Sequence, residues 1–246
     1  MTDVPRLRII AGPNGSGKST IKAILPPVSL GIYINPDEIE EKIKSSQSLD
    51  LKPFGIEATQ EEVVSFFNKS TLLQKNNLLN VANDIRLTGS ELSFSDAKMN
   101  SYFASVTADF IRRKLLKKNE SFTFETVMSF TDKINLLDEA KSLGYRVYLY
   151  YIATEDPEIN ISRVKNRVHL KGHDVPENKI KDRYYRSLGL LMDAIKKSNR
   201  AYIFDNSTDG KEKVWFAEIT DGQTVEFKND LVPLWFKAAV LDKIDS

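Results

Sequence analysis

Nine consecutive residues, Gly12-Pro13-Asn14-Gly15-Ser16-Gly17-Lys18-Ser19-Thr20, restrict this chain more than any other feature. They fit G-x-x-x-x-G-K-[ST], a loop whose glycines let successive backbone N–H groups turn inward around phosphate oxygens. The setting gives the pattern its meaning. Residues 7–11 form a short apolar run suited to a buried strand, and residues 20–25 suit a helix that Pro26-Pro27 stops. In a strand–loop–helix setting Lys18 reaches the outer phosphates of a nucleotide, the following helix turns its positive end to them, and Ser19 offers its hydroxyl to Mg2+. Residues 12–20 are therefore the expected phosphate contacts.

Four more strands are expected, at 30–34, 121–126, 145–153 and 201–204, each separated from the next by helical stretches. Helices are expected at 38–44, 97–117, 132–143 (closed by Gly144), from Asp156-Pro157 onward, and at 177–197. Strands alternating with helices imply an α/β P-loop NTPase fold: a mostly parallel, five-stranded sheet with helices on both faces. Residues 1–210 would form this domain, with a helical insert at about 45–90 and a lid at about 156–186. Residues 211–246 would add a C-terminal β-hairpin over 214–227, turning at Asp221-Gly222, and a short packed helix over 231–241.

Composition narrows the class. The 246 residues suffice for one large domain or a domain with an insertion. The formal net charge is only +1, which gives no basic surface for nucleic acid. With no cysteine, a disulfide scaffold, a cysteine zinc site and a thiol nucleophile are excluded. No charged-then-apolar leader and no run of membrane-spanning length is present, so a cytoplasmic protein with no membrane partner is expected.

In such folds ligands sit at the carboxyl ends of the strands. That edge would gather the loop, Asp37, Glu125 with Thr126, and Asp205-Asn206-Ser207, with Asn206 counted among the nucleotide contacts. Asp37 reads either as a site acid or as a helix cap. Glu125 reads as an acid that handles Mg2+ through water, as a partner for a substrate hydroxyl, or as a surface glutamate. Arg163 and Arg167, four apart on one helix face, suit either a lid or a solvated face. His173 lies in the glycine-broken loop that follows, where a substrate contact and a plain structural role are both open. Three classes compete for the loop. An ABC-type ATPase needs a Leu-Ser-Gly-Gly-Gln-like signature and a Walker B acid pair, and a GTPase needs Asn/Thr-Lys-x-Asp; neither is found. A small-molecule kinase needs a phosphate loop, a general base and arginines that neutralise the moving phosphoryl group, and Asp37, Arg163 and Arg167 meet those needs.

Taken in order, Ala11 through Thr20, Ile34-Asn35-Pro36-Asp37-Glu38-Ile39, Phe124-Glu125-Thr126-Val127-Met128-Ser129, the arginine-bearing helix running into Gly172-His173-Asp174-Val175-Pro176, Arg183-Tyr184-Tyr185-Arg186-Ser187-Leu188, and Phe204-Asp205-Asn206-Ser207 resemble the zeta-toxin family of P-loop kinases, in its stand-alone branch often labelled as predicted ABC-type ATPases. The resemblance spans roughly residues 6–207. It implies that ATP and Mg2+ are the cofactors, that Asp37 takes the proton from a sugar hydroxyl, and that Glu125, with Thr126 beside it, contacts the sugar. It makes Arg167 or Arg163 the arginine on the moving phosphoryl group, with Arg183 a candidate for a second. The family's substrate is UDP-N-acetylglucosamine, phosphorylated on the sugar 3′-hydroxyl, and its paired systems carry a small helical antitoxin that blocks the ATP site. Two departures bear on the acceptor. The insert at about 45–89 lies where a substrate pocket is remodelled, and Thr126-Val127 follow the glutamate where the toxins have glycine. The alternatives are a kinase of another nucleotide or metabolite, and a nucleotide-dependent regulatory ATPase with no small-molecule acceptor.

Overall fold

The computed structural model describes residues 4–94, 101–170, 172, 174–208 and 213–244. They divide into two compact units, Met1–Gly31 with Thr123–Ser246, and Ile32–Phe122. The chain opens in the first unit with β1 (Arg6–Ala11), α1 (Lys18–Ile24) and the single turn α2 (Pro27–Leu30). The second unit holds β2 (Ile32–Ile34), α3 (Pro36–Ser46), β3 (Ser48–Asp50), α4 (Gln60–Asn68), α5 (Thr71–Lys75), α6 (Leu79–Ala82), β4 (Arg86–Thr88), β5 (Glu91–Ser93) and α7 (Ser101–Lys117). The chain then returns through β6 (Phe122–Thr126), α8 (Asp132–Ser142), β7 (Arg146–Ala153), α9 (Pro157–His169), α10 (Glu177–Gly189), α11 (Leu191–Lys196), β8 (Arg200–Asp205), β9 (Val214–Thr220), β10 (Thr224–Phe227) and α12 (Leu234–Ala239). Among the described residues no helix is long and apolar enough to cross a membrane.

The first unit is built on a sheet in the order β10-β9-β8-β7-β1-β6. Strands β1 and β7 run parallel from Arg6↔Arg146 to Ala11↔Tyr151, and β7 and β8 run parallel from Tyr148↔Arg200 to Ala153↔Asp205. This register brings the carboxyl ends of β1, β7 and β8 to one edge. The strands are apolar because helices bury them: Leu7, Ile9, Val147, Leu149 and Ile203 are buried. The sheet is mostly parallel, as expected, but larger than five strands. The expected hairpin does form, and β9 pairs antiparallel along β8, with β10 beyond it. The unpaired N–H and C=O groups of β8 at that edge are thereby satisfied.

Two helix boundaries differ from expectation. The helix expected over 177–197 breaks at Gly189-Leu190 into α10 and α11, because glycine stabilises a helix interior poorly. Residue Leu30, expected in a strand, closes α2 instead. Gly144, with φ +83°, ends α8 as its position suggests.

The second unit packs α3 against α7. On α3, Ile39 and Ile43 stand four apart and face inward, and the buried Glu40 pairs with Lys44 at 2.5 Å. Helix α4 starts at a capping box, in which the Thr59 hydroxyl accepts from Glu62 N–H and the Glu62 carboxylate accepts from Thr59 N–H. The insert expected to be helical also holds a small antiparallel sheet, β3-β5-β4. Gly89, with φ +62°, makes the tight turn between β4 and β5. Three-residue strands are too short for alternation to stand out in the sequence.

Candidate phosphate-loop site

The loop is held by its glycines. A Cβ on Gly12, at φ +147°, would come 2.0 Å from the Ile152 carbonyl oxygen. A Cβ on Gly17, at φ +101°, would come 2.4 Å from the Asn206 amide nitrogen. The loop thus lies against the ends of β7 and β8 with no room for side chains. Asn206 donates to the Ser16 carbonyl at 2.8 Å, so this expected nucleotide contact also braces the loop from behind.

Lys18 is buried, and its ammonium donates to the carbonyls of Gly12 and Pro13, each at 3.0 Å. It also stands 4.0 Å from the Glu125 carboxylate. Glu125 reaches this place because Gly12 N–H donates to the Thr126 carbonyl at 3.3 Å, joining the end of β6 to the start of the loop. The Thr126 hydroxyl accepts from Met128 N–H at 3.0 Å, and Met128 takes a left-handed φ of +54°. The tight backbone position thus falls two residues beyond Thr126, on a non-glycine residue.

Ser16 Oγ is buried without a hydrogen-bond partner, in a loop that carries a lysine and no acid in the helix turn that follows. An orphan polar atom beside glycines in the left-handed region fits an anionic phosphate chain. Ser19 is exposed at the start of α1. The neighbouring Thr20 hydroxyl instead bonds the Gly17 carbonyl at 2.7 Å, which closes the first turn of the helix.

Two further helices meet the loop. On α9, Arg163 and Arg167 are half-buried. Gly172 N–H donates to the Arg167 carbonyl at 2.9 Å, and a Cβ on Gly172 would lie 2.5 Å from Arg167 Cγ, so the bare glycine makes room for the arginine stem. Helix α10 supplies Arg183, which donates to the Asn14 side-chain oxygen at 3.4 Å. Helices α9 and α10 share a small core of Ile161, Val164, Val175 and Ile180, and Tyr184 of α10 donates to the Thr154 carbonyl at 2.6 Å. Burial pushes the Tyr184 hydroxyl well above the ordinary tyrosine range, which keeps it a donor.

Sequence reasoning missed Asn160. It is fully buried on α9, accepts from the Thr154 hydroxyl, and donates to the Asn14 carbonyl at 2.5 Å. A signal did exist: it is a polar residue on the face of α9 that also holds Pro157, Ile161 and Val164.

A network at the ends of β7 and β8 was also missed. Asp205 accepts from Trp235 Nε1 at 2.8 Å and from the Ser207 hydroxyl at 2.6 Å. Ser207 Oγ accepts from Glu155 N–H at 2.8 Å, and Glu155 accepts from Trp235 N–H at 3.2 Å. This fixes α12 to the strand ends. Burial, reinforced by the Asp205 charge, raises the Glu155 carboxyl above its ordinary value, while the Trp235 N–H opposes the shift.

Asp37 belongs to the second unit. It follows β2 in the first turn of α3 and is exposed. The cap of that helix is Asn35, whose side chain accepts from Asp37 N–H at 2.9 Å, so capping does not use the Asp37 carboxylate. His173 lies outside the described residues.

Strand, glycine loop and helix on a mostly parallel sheet define an α/β fold of the P-loop type. A family model described as zeta toxin matches residues 95–215, so this stretch of the chain is similar to that family. Among solved structures, one chain of the AvrRxo1-ORF1:AvrRxo1-ORF2 complex superposes with a TM-score of 0.56 at 18% identity, over 96% of this chain and 64% of that one, both in a form with sulphate ions and in a form with ATP. A chain of the PezAT chromosomal toxin-antitoxin system of Streptococcus pneumoniae superposes with a TM-score of 0.53 at 13% identity, over 98% of this chain and 80% of that one. At these identities the likeness is one of fold. A curated relative from Haemophilus influenzae, described as an uncharacterized protein, is 36% identical over 69 residues, or 28% of this chain. The chain matches 49% of that relative's length.

Proposed function

We propose that this chain is an ATP-dependent small-molecule kinase of zeta-toxin type that phosphorylates a hydroxyl of a nucleotide sugar, with UDP-N-acetylglucosamine the first acceptor to test. The observation that carries the reading is the meeting of three parts at one loop: Lys18 in its cradle, Glu125 at the end of β6, and the arginine-bearing helix α9 hydrogen-bonded to Asn14. A phosphate loop alone serves hydrolases, motors and kinases. An acid beside the lysine and arginines on a helix seated on the loop are what phosphoryl transfer adds. The ATP-bound form of the AvrRxo1 complex supports ATP as the nucleotide.

ATP, when bound, supplies the phosphoryl group. Lys18 exchanges its loop carbonyls for phosphate oxygens, and the Ser19 hydroxyl is the protein's donor to a nucleotide-borne Mg2+. Glu125 and Thr126 hold the acceptor, and His173 and Arg183 contribute further contacts to it. Asp37 accepts the hydroxyl proton, while Arg163 and Arg167 offset the charge on the oxygens in transit. The toxin-antitoxin description of the PezAT neighbour supports an antitoxin protein as partner, and the cytoplasm is the proposed setting.

The test is to incubate the protein with ATP, Mg2+ and UDP-N-acetylglucosamine and to weigh the products by mass spectrometry. A nucleotide sugar heavier by one phosphoryl group is expected, and Asp37→Asn should abolish it while ATP still binds. Product formation undiminished by Asp37→Asn removes Asp37 from the mechanism. No product with this acceptor, while others are phosphorylated, moves the substrate and leaves the reaction class standing.

A further inference from the structure

Asn160 joins two functional parts that the chain keeps far apart in sequence. Its side chain reaches across 146 positions to the backbone of the phosphate loop at Asn14. The residue itself has no exposed surface, although the bond it makes to the half-buried Asn14 is only partly buried, so an Asn160 amide left without a partner would be costly. The amide is oriented from behind, because the Thr154 hydroxyl donates to Asn160 Oδ1 and thereby directs the N–H side toward the loop. The Asn160 backbone is in place as well: a Cβ on Gly15 would come 2.5 Å from the Asn160 carbonyl oxygen, so the loop glycine packs directly on the first turn of α9.

The position of Asn160 on α9 matters as much as its bond. Asn160, Arg163 and Arg167 stand at i, i+3 and i+7, one stripe of a helix. The residue that clamps the loop is therefore on the stripe that carries the arginines. Rotating α9 to lose the Asn160 bond would turn the whole stripe, both arginines included, by the same angle.

We propose that Asn160 is a positioning residue, which sets the phosphate loop and the arginines of α9 in one register by clamping the Asn14 carbonyl, with Thr154 orienting it. This rests on the kinase reading of the same site. Asn160 acts through the backbone at Asn14 and through its own helix.

The experiment measures ATP affinity by titration calorimetry and the rate of phosphoryl transfer, well below the thermal transition of each variant, with Thr154→Val, Thr154→Ser, Asn160→Ala and Asn160→Asp compared with the unaltered chain. Asn160→Asp retains shape and the oxygen facing Thr154 but loses the donated N–H. It should bind ATP about tenfold more weakly. Thr154→Val should weaken binding several-fold and Thr154→Ser should restore it, a pattern that general destabilisation would not produce. Transfer should fall further than affinity in Asn160→Ala, because the arginines lose their register too. If the unaltered chain binds ATP and the folded variants bind and react equally well, the clamp is wrong and the kinase reading stands. If the unaltered chain itself neither binds ATP nor transfers phosphate, the kinase reading fails and the clamp fails with it. Should Asn160→Asp not fold, the valine–serine contrast at Thr154 decides the matter alone.

Discussion

The ammonium of Lys18 stands 4.0 Å from the carboxylate of Glu125, although 107 positions separate them, while it also donates to the carbonyls of Gly12 and Pro13. The lysine is thus held within the loop by backbone acceptors with an acid close by; on the proposed reading a phosphate chain replaces those acceptors and ends beside the acid. Replacing Glu125 by Gln retains the shape and removes the charge. ATP affinity should be unchanged or slightly tighter, while transfer falls by about tenfold or more. Titration calorimetry and a transfer assay on the same preparation check the split; equal losses in both would place Glu125 on the nucleotide rather than the acceptor.

Gly17→Ala should disable the loop. The new methyl would meet Asn206 at 2.4 Å in a left-handed backbone that alanine resists, at a cost of about 1–3 kcal/mol. Asn206→Ala, which removes the obstructing amide but also the 2.8 Å bond to Ser16, should cost about 1 kcal/mol alone and relieve part of the Gly17→Ala penalty in the double variant. Denaturant titration of the four proteins measures the coupling, and strict additivity would show that the two sites do not touch.

The second unit offers a test of its own. Thr59→Ala removes the hydroxyl that caps α4 and should cost about 1 kcal/mol. Glu62, the other half of the box, has its carboxyl held below the ordinary glutamate value, first by the Thr59 N–H and then by Lys114 at 3.1 Å. A depressed carboxyl stabilises the fold above its unfolded value, and that contribution disappears as pH falls through the folded one. Glu62→Gln should therefore lower the melting temperature at neutral pH and converge with the unaltered chain in acid.

At Glu155 the sign reverses. Its carboxyl is raised in the folded protein, so its contribution is fully present below the unfolded glutamate value and is lost as pH rises through the folded one. Glu155→Gln still offers an oxygen to Trp235 N–H and carries no charge beside Asp205. It should melt at or above the temperature of the unaltered chain at neutral pH, with the difference closing in acid. A lower melting temperature at neutral pH would contradict the assignment.

The parts of the fold that were legible in the sequence share a physical signature. Parallel strands such as β7 read as strands because Val147, Leu149 and Tyr151 alternate on a fully buried face while the aromatic Tyr148 and Tyr150 half-bury the other, and the phosphate loop read as a pattern because glycine alone tolerates its backbone and its contacts with β7 and β8. The hairpin was visible from its Asp221-Gly222 turn, but its docking on β8 was not, since pairing partners leave no local mark. The strands β3, β4 and β5 were illegible because three residues cannot display a period. Asn160 and the Trp235–Asp205–Glu155 network escaped because their meaning lies in distant partners, although a lone asparagine among Pro157, Ile161 and Val164 does betray a buried amide with something to hold. Helix boundaries erred where a single glycine, Gly189, outweighed an amphipathic run.

The central claim is transfer of a phosphoryl group from ATP to a small hydroxyl-bearing molecule, and the most direct measurement is ADP formation with and without UDP-N-acetylglucosamine, using Lys18→Ala as the control. The account predicts ADP release that depends on the acceptor, matches phosphorylated product one for one, and falls by about a hundredfold or more in Lys18→Ala. ADP release that proceeds at one rate whether or not this or any other nucleotide acceptor is supplied would contradict it and mark the chain as an ATPase that does not phosphorylate small molecules.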